Sequence, residues 1–164
     1  MKFKLSILVF LLLMPMVSAS NWPMFHHDLK NTGYTTDIAP KTNQTLWTYT
    51  TDGAVQSSPA VADGMVFIGS NGEKFDGKIY ALNQSNGELI WSYYTGGNIE
   101  SSPAVADGMV FVTPRTTTAY ALNQSTGELI WTFTFGDWTF SSPAVADGMV
   151  FFGTHDKKIY ALNQ

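Results

Sequence analysis

The side chains of this chain that could do chemistry are few, and most of them are repeated. Ser57-Ser58 recurs as Ser101-Ser102 and Ser141-Ser142, and a serine hydroxyl can act as an acyl-transfer nucleophile. That chemistry needs a base to take the hydroxyl proton and a third group to orient the base, yet no histidine accompanies the serines at equivalent positions. Asp63, Asp107 and Asp147 each precede a glycine in an identical context, which is turn chemistry and not three general acids. His26-His27-Asp28 offers metal-ligand atoms, but adjacent residues of an extended chain point to opposite sides and rarely share one ion. Ser70–Gly77 is rich in oxygen atoms without the ligand spacing of a calcium loop, and turning explains its glycines. Asn43-Gln44-Thr45, Asn83-Gln84-Ser85 and Asn123-Gln124-Ser125 are glycosylation sequons, the last two inside a repeated turn. The absence of cysteine excludes a disulfide scaffold, a thiolate metal site, a cysteine nucleophile and a lipid-modified N-terminal cysteine. No catalytic, cofactor-binding or metal-ligating residue is assigned on these grounds.

What must position any functional side chain is set by composition and pattern. The 164 residues suffice for one domain with a real core. With 45% hydrophobic and 13% charged residues, intrinsic disorder is excluded as the main state. A net charge of −4, with no basic run longer than Lys157-Lys158, speaks against nucleic acid and anionic membrane surfaces as partners. Lys2 and Lys4, the apolar run Leu5–Met14, Pro15 and the small-residue site Val17-Ser18-Ala19 form a secretory signal peptide spanning residues 1–19. The run is too short to cross a bilayer and no second one follows, so no membrane span is expected after cleavage. The mature 145 residues would carry 7 basic and 13 acidic side chains, an acidic exported protein of the extracellular space, periplasm or cell surface.

Internal repetition then decides the fold. SSPAVADGMVF occurs unchanged at Ser57–Phe67, Ser101–Phe111 and Ser141–Phe151, and YALNQ recurs from Tyr80, Tyr120 and Tyr160. Trp47, Trp91 and Trp131 each stand ten residues before a serine pair. The spacing is 44 residues, then 40. Each unit reads as four strands: Pro59–Ala62, Met65–Gly69, Lys78–Asn83 and Glu88–Tyr94 in the first copy, with Asp-Gly and Asn-Gly turns between them. Met65-Val66-Phe67-Ile68 and Leu89-Ile90-Trp91 are continuously apolar, which fits sheets covered on both faces. Four-stranded units at this period predict an all-β chain of about three antiparallel propeller blades, in units of 57–94, 101–134 and 141–164. Residues 20–44 form a lead-in, and Thr45–Thr50 reads as a last strand that completes a blade.

Ala121–Trp131 resembles the tryptophan-docking motif of pyrroloquinoline-quinone (PQQ)-type propeller repeats, Ala-x-Asp-x-x-Thr-Gly-x-x-x-Trp, with Asn123 at the usual Asp position. In the preceding copy Asn86 takes the threonine position. Asn21–Asp28 and Thr32-Gly33-Tyr34 resemble the lead-in of exported propellers of this kind. The resemblance covers nearly the whole mature chain. It implies that Trp47, Trp91 and Trp131 wedge between blades, docking on the turns that hold Gly87 and Gly127. It also raises a PQQ-dependent dehydrogenase. Those enzymes hold the quinone and calcium at the centre of a full ring with an acidic base and often a vicinal cysteine pair. This chain has no cysteine and no unique carboxylate cluster, so PQQ and calcium are not expected as cofactors.

Function is therefore sought where the repeats differ. The links Thr51–Gln56, Thr95–Glu100 and Phe135–Phe140 vary, as do the turns Ser70–Gly77, Thr113–Thr118 and Thr154–Lys157. In an up-and-down blade both sets emerge at one end and the invariant turns at the other, which makes the varied end the expected binding face. Its candidate residues are Gln56, Lys74, Glu100, Arg115, Asp137, Trp138 and His155. The reading is a non-catalytic binding or scaffold module for a protein or surface polymer, the alternative a piece of a longer propeller protein or dehydrogenase. Three blades do not close a ring, which takes ~4–8, so self-association or a longer chain is expected. Trp131, in register with Trp47 and Trp91, is expected to be buried, and Trp138, without equivalents, to be free for binding.

Overall fold

The computed structural model describes residues 21–28 and 35–163. The signal peptide and the start of the lead-in at residue 20 lie outside the described residues, as does Thr32-Gly33-Tyr34. Among the described residues, eleven strands form three antiparallel sheets in simple meander order. Blade 1 comprises β1 (Ala60–Ala62), β2 (Met65–Gly69), β3 (Lys78–Asn83) and β4 (Leu89–Tyr94). Blade 2 comprises β5 (Ala104–Ala106), β6 (Met109–Val112), β7 (Thr118–Asn123) and β8 (Leu129–Thr134). Blade 3 holds β9 (Ala144–Ala146), β10 (Met149–Gly153) and β11 (Ile159–Asn163). The chain is a partial all-β propeller. No helix of the described residues is long and apolar enough to cross a membrane.

The local causes are plain. Asp63 and Gly64 both adopt positive φ (49° and 75°), the mirror-image turn whose twist matches two antiparallel strands, and the pair repeats at Asp107-Gly108 and Asp147-Gly148. At the next turn the Asn83 carboxamide oxygen accepts from Ser85 N (2.8 Å) and Asn86 N (3.3 Å), with Asn123 doing the same in blade 2. A backbone bond ties these two turns together, Gln84 N to Gly64 O (2.9 Å) and Gln124 N to Gly108 O (2.8 Å). The invariant end of each complete blade is thus closed by the repeated sequence itself.

Blades meet through alternate residues of their strands. Ala60, Ala62, Phe67, Ile79, Ala81 and Trp91 of blade 1 form one apolar cluster with Val105, Val110, Val112 and Leu122 of blade 2. The opposite face of blade 2, with Ala104, Phe111, Ala119 and Ala121, packs with Val145, Val150 and Phe152 of blade 3. Alanines fill the innermost strands where blades converge, and the large rings lie further out. Phe67 meets Trp91 at 5.8 Å between ring centroids and Phe111 meets Trp131 at 5.9 Å. The serine pair is structural: Ser57 Oγ donates to Gly69 O (3.0 Å), and Ser58 N reaches Ser102 Oγ (3.0 Å) across the blade boundary. Ser102 N reaches Ser142 Oγ (2.9 Å) in the same way.

Three expectations need correction. Thr45–Thr50 is not a strand, because among the described residues no neighbouring strand offers it a ladder; the segment is held by its tryptophan instead. The run Leu89-Ile90-Trp91 is not buried on both faces. Leu89 and Ile90 are 46% and 44% exposed, and the register shifts there, as it does at Leu129-Ile130-Trp131. The unbroken apolar run is the mark of a β-bulge in an outer strand, where one extra residue breaks the alternation. Lastly, Trp91 is buried under the Gly127 turn, whereas Trp131 is only partly buried and no equivalent turn covers it among the described residues.

The lead-in crosses the inner edge of the arc. Trp22 exchanges backbone bonds with Val61 (2.6 and 2.7 Å), and Val105 N donates to Pro23 O (2.7 Å). Met24 is buried in the cluster between blades 2 and 3. One short segment thereby touches all three blades.

Trp91→Ala is expected to destabilise the fold by roughly 3–5 kcal/mol and Trp131→Ala by clearly less, measured by equilibrium denaturation. Gly127→Ala should cost at least ~1–3 kcal/mol from its positive φ alone. Equal losses from Trp91→Ala and Trp131→Ala would contradict the burial pattern.

Candidate binding face

The varied links and turns meet at one end of the arc, joined by the same backbone bond in every blade. Asn71 N donates to Ala54 O (2.8 Å), Arg115 N to Asn98 O (2.7 Å) and His155 N to Trp138 O (3.0 Å). The repeat spacing makes Gln56, Glu100 and Phe140 equivalent, and likewise Asn71, Arg115 and His155. Each such pair is in contact. Asn71 Nδ2 donates to Gln56 Oε1 at 2.9 Å. Arg115 Nη1 lies 3.8 Å from Glu100 Oε1. The Phe140 and His155 rings meet edge-on at 5.7 Å. One frame thus presents an amide pair, an ion pair and an aromatic pair in successive blades.

The blade 2 and blade 3 pairs merge into one cluster. Trp138 stacks on His155 with centroids 3.6 Å apart and planes 20° from parallel, and Phe140 meets Trp138 edge-on at 4.8 Å. The Arg115 guanidinium lies 5.0 Å from the Trp138 ring and 5.1 Å from the Phe140 ring, within cation–π range. Of the seven candidate residues, the structure brings Glu100, Arg115, Trp138 and His155 together. Asp137 stands beside them and accepts from Trp138 N at 2.9 Å, which fixes the start of that link. Gln56 and Lys74 lie apart on blade 1, where Lys74 is exposed and its amide reaches Asp76 Oδ1 at 3.4 Å. Phe140 and Asn71 were not singled out by sequence. Aligning positions across the repeats would have found both, since each completes a pair whose other member was chosen.

Asp156 anchors the turn that presents His155. Its carboxylate accepts from Thr154 Oγ1, from Lys158 Nζ (3.0 Å) and from Tyr160 Oη (3.1 Å). The hydrogen bonds from Thr154 and Lys158, ahead of that from Tyr160, lower its pKa to about 2. In blade 1 the ion pair of Lys78 with Asp52 lowers the Asp52 carboxyl and raises the Lys78 amine.

The docking residues have a definite geometry. Trp47 Nε1 donates to Gln84 O (3.0 Å) and Trp91 Nε1 to Gln124 O (2.9 Å). A Cβ built on Gly87 would stand 2.6 Å from the Trp47 ring, and one on Gly127 equally close to Trp91. Each indole therefore lies flat on a glycine of the next turn, where any side chain would collide. Elsewhere, His26 and His27 take positive φ and pack edge-on against Phe25 and Trp22. Among the described residues no three histidine or acidic side chains stand close enough to share a metal ion.

Docked tryptophans, glycine-bearing turns and four-stranded blades define a propeller of the PQQ-type repeat class. The sequence profile described as "Outer membrane protein assembly factor BamB" matches residues 30–98 and 75–164, and the chain belongs to that family. No curated protein matches it. Among solved structures it is similar to a europium-containing methanol dehydrogenase (TM-score 0.70, 19% identity, 87% of this chain and 30% of that one). It is also similar to a quinohemoprotein alcohol dehydrogenase from Pseudomonas putida (0.70, 20%, 87% and 25%). BamB from Moraxella catarrhalis is a third similar structure (0.61, 15%, 75% and 41%). The chain spans less than half the length of each, and likeness at these identities shows the fold alone.

A lowered folded-state pKa makes Asp156 stabilising above its unfolded value near 4, with that contribution lost as pH falls through about 2. In acid titrations followed by circular dichroism, Asp156→Asn should therefore lower stability at pH 6 and flatten the loss between about pH 4 and 2. An unchanged acid limb would show that Asp156 does not hold this turn.

Proposed function

We propose that the chain is an exported, non-catalytic binding or scaffold module that engages its partner, a protein or surface polymer, through the varied end of its blades. The observation that carries this reading is the set of equivalent pairs, Gln56–Asn71, Glu100–Arg115 and Phe140–His155. Three copies of one backbone frame hold three different chemistries at a single end, while the opposite end repeats the same turns. Loops that vary on a constant scaffold are where recognition is built. The proposal assigns Trp47, Trp91, Trp131, Gly87 and Gly127 to blade docking, and it assigns residues 1–19 to an export signal.

The likeness to dehydrogenases suggests a second reading, a segment of a PQQ-dependent oxidoreductase. Fold supports many chemistries, so the choice rests on residues. The pairs of the varied end contain no carboxylate free of a basic partner, since Glu100 faces Arg115. The two ends of the arc also bear apolar surfaces, with Phe151, Ile159 and Ala161 on the outer face of blade 3 and Trp47, Val66 and Leu82 on that of blade 1. These suit further blades, from a second copy or from more of the same chain. Light scattering that found a monodisperse monomer with a cooperative melt would refute that association.

The absence of cysteine allows single-cysteine photo-crosslinking against envelope material of the source cell. Adducts are expected from Gln56→Cys and Lys74→Cys, and none from Ser125→Cys at the invariant end. Equal adducts from both ends would overturn the assignment of the face. Dye reduction with an alcohol in the presence of PQQ and calcium would overturn the non-catalytic reading.

A further inference from the structure

We propose that the Arg115 cluster is a receptor for a carboxylate side chain of a partner peptide, with Phe140 receiving the apolar residue beside it. The proposal rests on the binding role of the varied face and names its ligand. Arg115 is oriented before any ligand arrives, because the Trp138 and Phe140 rings hold its guanidinium at 5.0 and 5.1 Å. Its side chain is 39% exposed, and its one ion pair among the described residues, to Glu100 at 3.8 Å, is too long for a hydrogen bond. The planar fork therefore keeps its donors available, and that fork matches a carboxylate with two parallel bonds. An immobilised guanidinium loses little side-chain freedom on binding, which favours affinity.

The surroundings select the ligand. Phe140 is 44% exposed and borders an open cavity of about 370 Å³ with Thr154, His155 and Lys157. Lys157 adds a second cation at that cavity, on a chain whose net charge is −4. The acidic groups nearby are occupied: Asp156 by Thr154, Lys158 and Tyr160, and Asp137 by the Trp138 amide. Glu100 alone competes for Arg115. A uronic-acid polymer also carries carboxylates, but a sugar ring needs a broad open aromatic face. The Trp138 face is covered by His155 at 3.6 Å, which leaves the smaller Phe140 ring as the exposed apolar ring of the cluster. A peptide alternating acidic and aromatic residues fits both the cation and that ring.

The test titrates the full-length chain with a capped heptapeptide of alternating glutamate and phenylalanine, followed by calorimetry. Replacing the peptide's glutamates by glutamine, or Arg115→Gln in the protein, is expected to weaken binding at least tenfold. Glu100→Gln should tighten it several-fold by releasing the fork, an effect that a merely structural role for Arg115 would not give. Melting curves of both variants keep misfolding from passing as lost binding. The proposal is overturned if the glutamine peptide binds equally well, if Arg115→Gln binds as wild type, or if no binding appears up to millimolar peptide. It is also overturned if polygalacturonate binds at Arg115 in preference to the peptide. Failure here with crosslinking still confined to the varied end removes the ligand class alone, whereas crosslinks from both ends remove the face.

Discussion

The arc depends on one contact, an indole laid on a glycine. Trp91 leaves the outer strand of blade 1, covers Gly127 in the turn of blade 2 and donates its N–H to Gln124 O at 2.9 Å. Trp47 makes the same contact one blade earlier, with Gly87 and Gln84. The contact supplies a large apolar surface and a satisfied polar group together, which is what a partly buried indole requires. It also fixes spacing, because glycine lets the ring approach the backbone directly. The invariant turn is thus a docking surface. That is a physical reason for its near-identity between copies.

Blade packing divides the sequence into two classes of position. Residues of the strands alternate between the two neighbours, Val110 toward one cluster and Phe111 toward the next, so each blade needs the same pattern. The residues after β2, β6 and β10 emerge at the varied end, where Arg115 crosses to the Trp138 and Phe140 rings of blade 3. One backbone bond per blade fixes where they emerge, and the bond is indifferent to the side chain. Gln56 with Asn71, Glu100 with Arg115 and Phe140 with His155 can therefore differ in charge and polarity while the frame stays constant.

Much of this was legible in the sequence because the repeat is nearly exact. The strands of β3, β7 and their partners follow from YALNQ and the Asp-Gly turns, and β3 falls at Lys78–Asn83 as the pattern predicts. What the sequence hid is tertiary. A bulge at Ile90 and Ile130 looks like continuous burial, since an extra residue shifts the alternation without changing composition. Thr45–Thr50 has strand chemistry but no pairing strand among the described residues, and a strand exists only in pairing. Trp131 carries the docking sequence without the turn of a further complete blade to cover it among the described residues, so register predicted a burial that it lacks. At the varied end, Arg115, Trp138 and His155 were found singly. Their convergence, and the part of Phe140, needed the blade angle.

The central claim is that the face and the frame are separable, and exchanging one blade's pair for another's tests it directly. The double substitution Glu100→Gln with Arg115→Asn places the blade 1 pair in blade 2. The account predicts a melting temperature within about 4 °C of the parent, since surface exchanges of this kind stay within ~0.5 kcal/mol. A drop comparable to that of Trp91→Ala would contradict it, showing that the varied residues hold the blades together.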